Sequence, residues 1–323
     1  MRASPLIEAE IRSSGPIPFR RFMEIALYHP EVGYYARGRD PFGKRGDYYT
    51  NGQIQPVFGR LIAAHVAHWR AEMGDPDCFR VLEPGAGRAE TRDEVCRAHP
   101  GLAWECLEVG DPWPRRPMTG VVFCNEFFDA LPVDVVERSE DGQGWTEWGV
   151  GVRDGRLTWV RLGPSHPRPG LPNIGPGRRI ETCESQMAAM RKILRTLRQG
   201  VVAVVDYGYT RSEIELGGRF ADGSLMAYRR HSADPDVLRE PGLRDITAHV
   251  NFSALEDVAR AQGARVRAFC SQQAFLLDAG RHDSFESALV APSESRQFEL
   301  RMQLKTLLFG LGETFRVLLL DMP

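Results

Sequence analysis

Residues 81–95, VLEPGAGRAETRDEV, run from an apolar stub through two glycines two apart into a helix start. Gly85 and Gly87 let the backbone turn sharply and come close to a ligand. Thr91 and Glu94 have the T-x-x-E spacing of a capping box that would open the next helix. A dinucleotide fingerprint needs a third glycine at position 90, where this chain has Glu90, and a pyrophosphate beside that carboxylate is repelled unless it points away. An acid at the strand end suits a cationic or polyhydroxylated ligand instead. Glu83 can attract an ammonium group, and Glu108, ending the next strand, can accept bonds from two ribose hydroxyls. S-adenosylmethionine carries both an amine and a ribose. A plain structural turn is the competing reading of the glycine pair alone.

Such residues need a sheet to hold them. From residue 78 onward, apolar runs alternate with helical ones, which argues for an α/β fold with mostly parallel strands. FRVLE is the first strand, AWECLE the second, GVVFCNE the third, and VVAVVDYG (201–208) a fully buried fourth. Residues 133–163 carry Asp-Gly pairs at 141–142 and 154–155 and read as an inserted β-meander. The helix QMAAMRKILRTLRQG is expected to run to Gly200, Ser253 and Glu256 to cap the helix of SALEDVARAQG, and ARVRAFC and FRVLLL to form the closing strands around a helix through RMQLKTLLFG. Residues 1–77 read as a helical and looped extension that includes an amphipathic helix over 57–74, and residues 78–323 as the core. In this architecture ligands sit at the carboxyl ends of the strands.

Composition bounds the function. The chain has 323 residues, 42% hydrophobic and 26% charged, with a formal net charge of -2, so no basic field points to nucleic acid. No apolar run is long enough for a membrane span and the first residues lack a secretory pattern, so a soluble cytoplasmic protein is expected. The six cysteines lack a C-x-x-C pair, and His65 and His68 come without a third ligand, so no metal site is assigned.

The chain as a whole resembles the MidA family of S-adenosylmethionine-dependent methyltransferases, relatives of the mitochondrial complex I assembly-factor protein arginine methyltransferase. GPIPFRRFMEIALYHPEVGYY, DPFGKRGDYYT, EPGAGR, CNEFFDALPV, DYGY, GSLMAYRRH, DITAHVNF and GLGETFRVL carry the resemblance, in order from about residue 15 to residue 318. It implies a Rossmann-like class I methyltransferase core of seven strands whose last two form an antiparallel pair, and methylation of an arginine nitrogen in a protein partner. Glu83, Gly85, Gly87, Arg88, Glu108 and Asn125 are expected to hold the cofactor; the alternative for Asn125 is that it caps the following turn. Glu126, at the end of the third strand, can hold a guanidinium at two points and align its nitrogen; the alternative is a solvated side chain. Asp206 is either a ligand-edge acid or a turn former. His249 is either the proton acceptor or a buried, hydrogen-bonded histidine. Tyr48 and Tyr49 either close over the cofactor or pack, and YRRH (228–231) is either an acid-binding cluster or a solvated face.

Three departures from the family pattern matter. Only VGDPWPRRPMTGV separates Glu108 from the next strand, and its three prolines leave no room for the usual helix and edge strand, so the adenine side is expected to be cut short. Carboxylates usual in the family are absent at Gln53 and Arg60, and Ala89 stands where glycine is commoner. A catalytically silent partner-binding member and a small-molecule methyltransferase are the rival readings.

Overall fold

In the computed structural model the described residues are 3–36, 51–166, 168–217, 220 and 223–323. They cluster into two compact units, one of Met1–Tyr49, Asp129–Ala188 and Tyr209–Leu255, the other of Thr50–Phe128, Ala189–Gly208 and Glu256–Pro323.

The second unit carries the glycine turn. Its strands are Phe79–Pro84 (β1), Ala103–Leu107 (β2), Met118–Asn125 (β3), Leu197–Tyr209 (β4), Arg265–Ser271 (β5) and Phe315–Met322 (β6). They pair in the order β2-β1-β3-β4-β6-β5; β2, β1, β3 and β4 run parallel, and β6 runs antiparallel to both β4 and β5. The residues from Val201 to Val205 in β4 are at most 1% exposed, as expected of a strand covered on both faces. Among the helices that flank these strands in sequence are Val57–Glu72 (α1), Glu90–Ala98 (α2), Gln272–Gly280 (α3) and Glu294–Lys305 (α4). Phe58, Leu61, Ile62 and Trp69 of α1 join Phe123, Val201, Val205 and Phe315 of the strands in one buried cluster.

The class I methyltransferase-like α/β core is therefore present, with its closing antiparallel strands. The shortened edge is present too: residues 109–117 form neither helix nor strand, and β2 ends the ladder among the described residues. Three local expectations are corrected. The helix expected to run to Gly200 ends at Arg195, because Gly200 belongs to β4 opposite Gly120, where a Cβ would collide with the Gly120 carbonyl oxygen. Helix α2 begins at Glu90 behind Ala89, so Thr91 lies inside the first turn, Glu94 pairs with Arg97, and no side chain caps the start. The helix Phe252–Ala261 is capped by Asn251, whose Oδ1 accepts the Ala254 N–H at 3.1 Å, while Ser253 Oγ accepts the Arg211 N–H instead.

In the first unit, Val135–Arg138, Trp145–Arg153 and Arg156–Ser165 form the expected meander, turning at Asp154 and Gly155, both with positive φ. The sheet also recruits Ile17–Pro18 and Arg179–Glu181. Phe19, Phe22, Met23 and Ile25 from the helix Phe19–Tyr28 pack with Val135, Val150 and Ile246. A second sheet of three strands, Ser232–Asp234, Met226–Arg229 and Asp245–Thr247, has no counterpart in the sequence pattern. The YRRH stretch contributes its hairpin turn: Arg230 and His231 both have positive φ, and Arg229 pairs with Glu240 at 2.8 Å.

Candidate active site

The carboxyl ends of β1, β2, β3 and β4 gather Glu83, Gly85, Gly87, Glu108, Asn125, Glu126 and Asp206 in the second unit. After β1 the chain turns through Gly85 and Gly87 at φ of 70° and 56°. The Gly85 N–H donates to the Leu107 carbonyl at 2.8 Å, tying the turn to the end of β2. A Cβ on Gly85 would stand 3.1 Å from the Phe127 ring, so this glycine is what lets the NEFF turn after β3 close on the glycine turn after β1. Ala89 takes the left-handed conformation at φ 56°, the place where a glycine is easier to accommodate. Arg88 is exposed and pairs with Glu90 at 3.3 Å, which turns the Glu90 carboxylate to a cation of its own loop.

The two acids of the turn sit in different surroundings. Glu83 is 4% exposed, and the parallel register puts it on the face shared by Trp104 and Cys106 of β2. Its Oε2 accepts the Trp104 indole N–H at 2.9 Å. Burial pushes the carboxyl up to about 8, against the pull of the indole N–H and of the Arg92 guanidinium. Its Oε1 has no hydrogen-bond partner among the described residues. Sequence reasoning misses Trp104; the signal is its place two residues before Cys106, on the strand face that β1 presents with Val81 and Glu83. Glu108 is exposed, and its Oε1 accepts the Gly87 N–H at 2.8 Å. Partial burial raises its carboxyl above the ordinary range, the Gly87 N–H pulls it back, and Asp111 raises it further. Asp111 also accepts the Glu108 N–H at 2.8 Å.

At the end of β3, Asn125 and Glu126 stand together. Glu126 has φ of 51°, a backbone state that costs on the order of 1–3 kcal/mol for a residue with a side chain and that clusters at functional sites. Its Oε1 accepts from the Asn51 N–H at 2.9 Å and from Asn125 Nδ2 at 3.3 Å. That second bond orients the Asn125 amide and leaves its buried Oδ1 without a hydrogen-bond partner among the described residues. Asp206, fully buried at the end of β4, accepts the Phe128 N–H at 2.9 Å and the Tyr207 N–H at 2.8 Å, so its carboxylate holds the turn that carries Glu126.

His249 lies in the first unit. Its N–H donates to Ser224 Oγ at 2.8 Å, and its ring packs edge-on to Phe220 with centroids 4.5 Å apart. Tyr48 and Tyr49 lie outside the described residues, as does the side chain at position 53. Arg60, where the family pattern has an acid, donates to the Ala288 and Val290 carbonyls at 3.0 Å each and so closes the short helix Glu286–Leu289. His65 is a core residue: its ring stacks on Phe275 at 4.0 Å, its Nε2 meets the Phe275 carbonyl, and burial pushes it down to about 4.

These groups fit S-adenosylmethionine. A turn with two positive-φ glycines allows close backbone approach, a buried acid with an oxygen unused among the described residues has the chemistry to take an amine, and an acid after the second strand has the chemistry to take ribose hydroxyls. The family model for S-adenosyl-L-methionine-dependent methyltransferases matches residues 101–270. A Burkholderia thailandensis protein whose crystal structure holds S-adenosyl-homocysteine is 31% identical and superposes with a TM-score of 0.85, covering 99% of this chain and 92% of that one. Human protein arginine methyltransferase NDUFAF7, mitochondrial, is 25% identical over 84% of this chain and 71% of its own length. Its Drosophila melanogaster homolog is 27% identical over 80% and 70%. The chain is a member of the MidA-like family of S-adenosylmethionine-dependent methyltransferases, with S-adenosylmethionine as its cofactor.

Proposed function

We propose that this methyltransferase acts on an arginine nitrogen in a protein partner. The observation that carries the reading is the chemistry at the end of β3: a carboxylate, Glu126, beside an amide turned so that its buried Oδ1 is an unused acceptor. Two acceptors side by side suit a group rich in N–H donors, and a guanidinium has five in one plane. The names of the human and Drosophila relatives support the same substrate class.

Bound S-adenosylmethionine supplies an electrophilic methyl group, so the protein's task is to align the nitrogen and take up a proton after attack. In this reading Glu83 would hold the amine of the cofactor and Glu108 its ribose, with the Gly85–Gly87 turn against its chain. Arg88 and Asn125 are proposed as further cofactor contacts. Glu126 fixes the guanidinium plane, and Asp206 acts behind it by holding the turn. His249 is proposed as proton acceptor on sequence grounds, as is residence in the cytoplasm.

The test is single-turnover transfer from labelled S-adenosylmethionine into a lysate of cells that lack the protein. The parent should label a protein on arginine. Glu126→Gln keeps the shape and loses the charge that makes the two-point contact strong, so it should bind cofactor normally and transfer more slowly by on the order of 100-fold. Parental rates from Glu126→Gln, or label on another residue type, would overturn the reading.

A further inference from the structure

Glu126 reaches its neighbours through a segment that is far from it in sequence. The N–H that meets its Oε1 belongs to Asn51, a residue with 0% exposure. The Asn51 side chain does not touch that carboxylate through this bond. Its Oδ1 instead accepts Nε2 of Gln272 at 3.0 Å, and Gln272, the first residue of α3 and directly after β5, is also 0% exposed. Asn51 Nδ2 and Gln272 Oε1 have no hydrogen-bond partner among the described residues.

Two fully buried amides that satisfy each other only halfway make a poor packing device, since an apolar pair of the same shape would leave no polar group unpaired. What the pair does accomplish is to anchor the backbone of residue 51 to the base of α3. That anchoring sets where the Asn51 N–H points, and the N–H points at Glu126. We propose that Gln272 and Asn51 are positioning residues for the transfer reaction, fixing the Glu126 carboxylate through the Asn51 N–H. The proposal rests on the reading of Glu126 as the guanidinium anchor. The left-handed backbone at Glu126 gives the restraint its purpose: a residue in a sparsely populated conformation keeps one geometry only when its surroundings determine it from several directions. Here Asn125 supplies one direction, the Val205 carbonyl that accepts the Glu126 N–H at 2.9 Å a second, and the Asn51–Gln272 pair a third.

Gln272→Met keeps the volume at the start of α3 and removes the bond to Asn51. Asn51→Ala breaks the same bond from the other side, outside any helix longer than one turn. The probe is acetyl-arginine amide, titrated into the protein with S-adenosyl-homocysteine, with acetyl-citrulline amide as the uncharged control. Both variants should bind the arginine probe about fivefold or more weakly while their affinity for S-adenosyl-homocysteine stays within about twofold. Combining Gln272→Met with Glu126→Gln should add no further loss, because both changes act through one carboxylate. If Glu126→Gln loses the probe while Gln272→Met and Asn51→Ala bind it as the parent does, the amide pair only packs and the proposal fails alone. If Glu126→Gln binds the probe like the parent, or the parent does not prefer arginine to citrulline, the anchor reading fails and takes the proposal with it.

Discussion

The two ends of the cofactor site are built to different standards. At the β1 end, Glu83 is buried under the Trp104 indole, and Gly85 is held against Phe127 with its N–H on the Leu107 carbonyl. At the β2 end, Glu108 is exposed just past the strand that ends the ladder among the described residues and is followed by nine residues without helix or strand. The first end is held by neighbouring strands, the second by its own loop: Asp111 on the Glu108 N–H, and Glu108 on the Gly87 N–H. A parallel sheet that stops one strand early keeps the chemistry of its central strands and gives up walls at its edge. If both ends hold the cofactor as proposed, recognition is expected to weigh toward the amine and the glycine turn.

The sharpest way to break that contrast is Gly87→Val. A β-branched residue at φ 56° is strained, so the turn cannot keep its shape around it. Cofactor affinity should fall by on the order of 100-fold or more in a protein that still folds. Calorimetry and circular dichroism together check it, and parental affinity in a folded variant would mean that the turn is not the binding element.

Glu108→Ala comes next. Loss of a charged acceptor costs roughly 1–3 kcal/mol in a fully formed site. With the edge open, this loss should fall near the lower end, well below that of Gly87→Val. A larger loss for Glu108→Ala than for Gly87→Val would reverse the ranking of the two ends.

Glu83→Gln tests the buried end through fold stability rather than affinity, and its effect appears across pH. The folded-state carboxyl titrates near 8 and the unfolded one near about 4.3, so between those values the native state binds more protons than the unfolded state. Stability should accordingly decline as pH rises through that window, and the decline should be absent below it. In Glu83→Gln this part of the decline should vanish, measured as urea midpoints from about pH 4 to 9. Parallel pH curves for parent and variant would show that burial does not hold the Glu83 proton.

The sequence discloses the framework better than the restraints. β1 to β6, the open edge and the two-glycine turn are all readable, because apolar periodicity and glycine spacing are local properties. Asp206 leaves two readings open, since a strand-end acid has the same letters whether it faces a ligand or holds a turn; its bonds to Phe128 and Tyr207 are those of a turn holder. Asn51 and Gln272 give no signal at all, because buried amides follow no period and belong to no motif. The misplaced caps at Thr91 and Ser253 have one cause: in each case the helix begins one residue before the side chain assigned to cap it. Trp104 escapes notice because its importance comes from the register of β2 against β1, which no single segment encodes.

The central claim is that the β1 end of the site suffices for the cofactor despite the missing edge strand. Calorimetric titration of the protein with S-adenosyl-homocysteine tests it most directly. The expected result is one site per chain with a Kd tighter than about 100 μM, equivalent to about 5.5 kcal/mol. Absence of binding at millimolar ligand would contradict it.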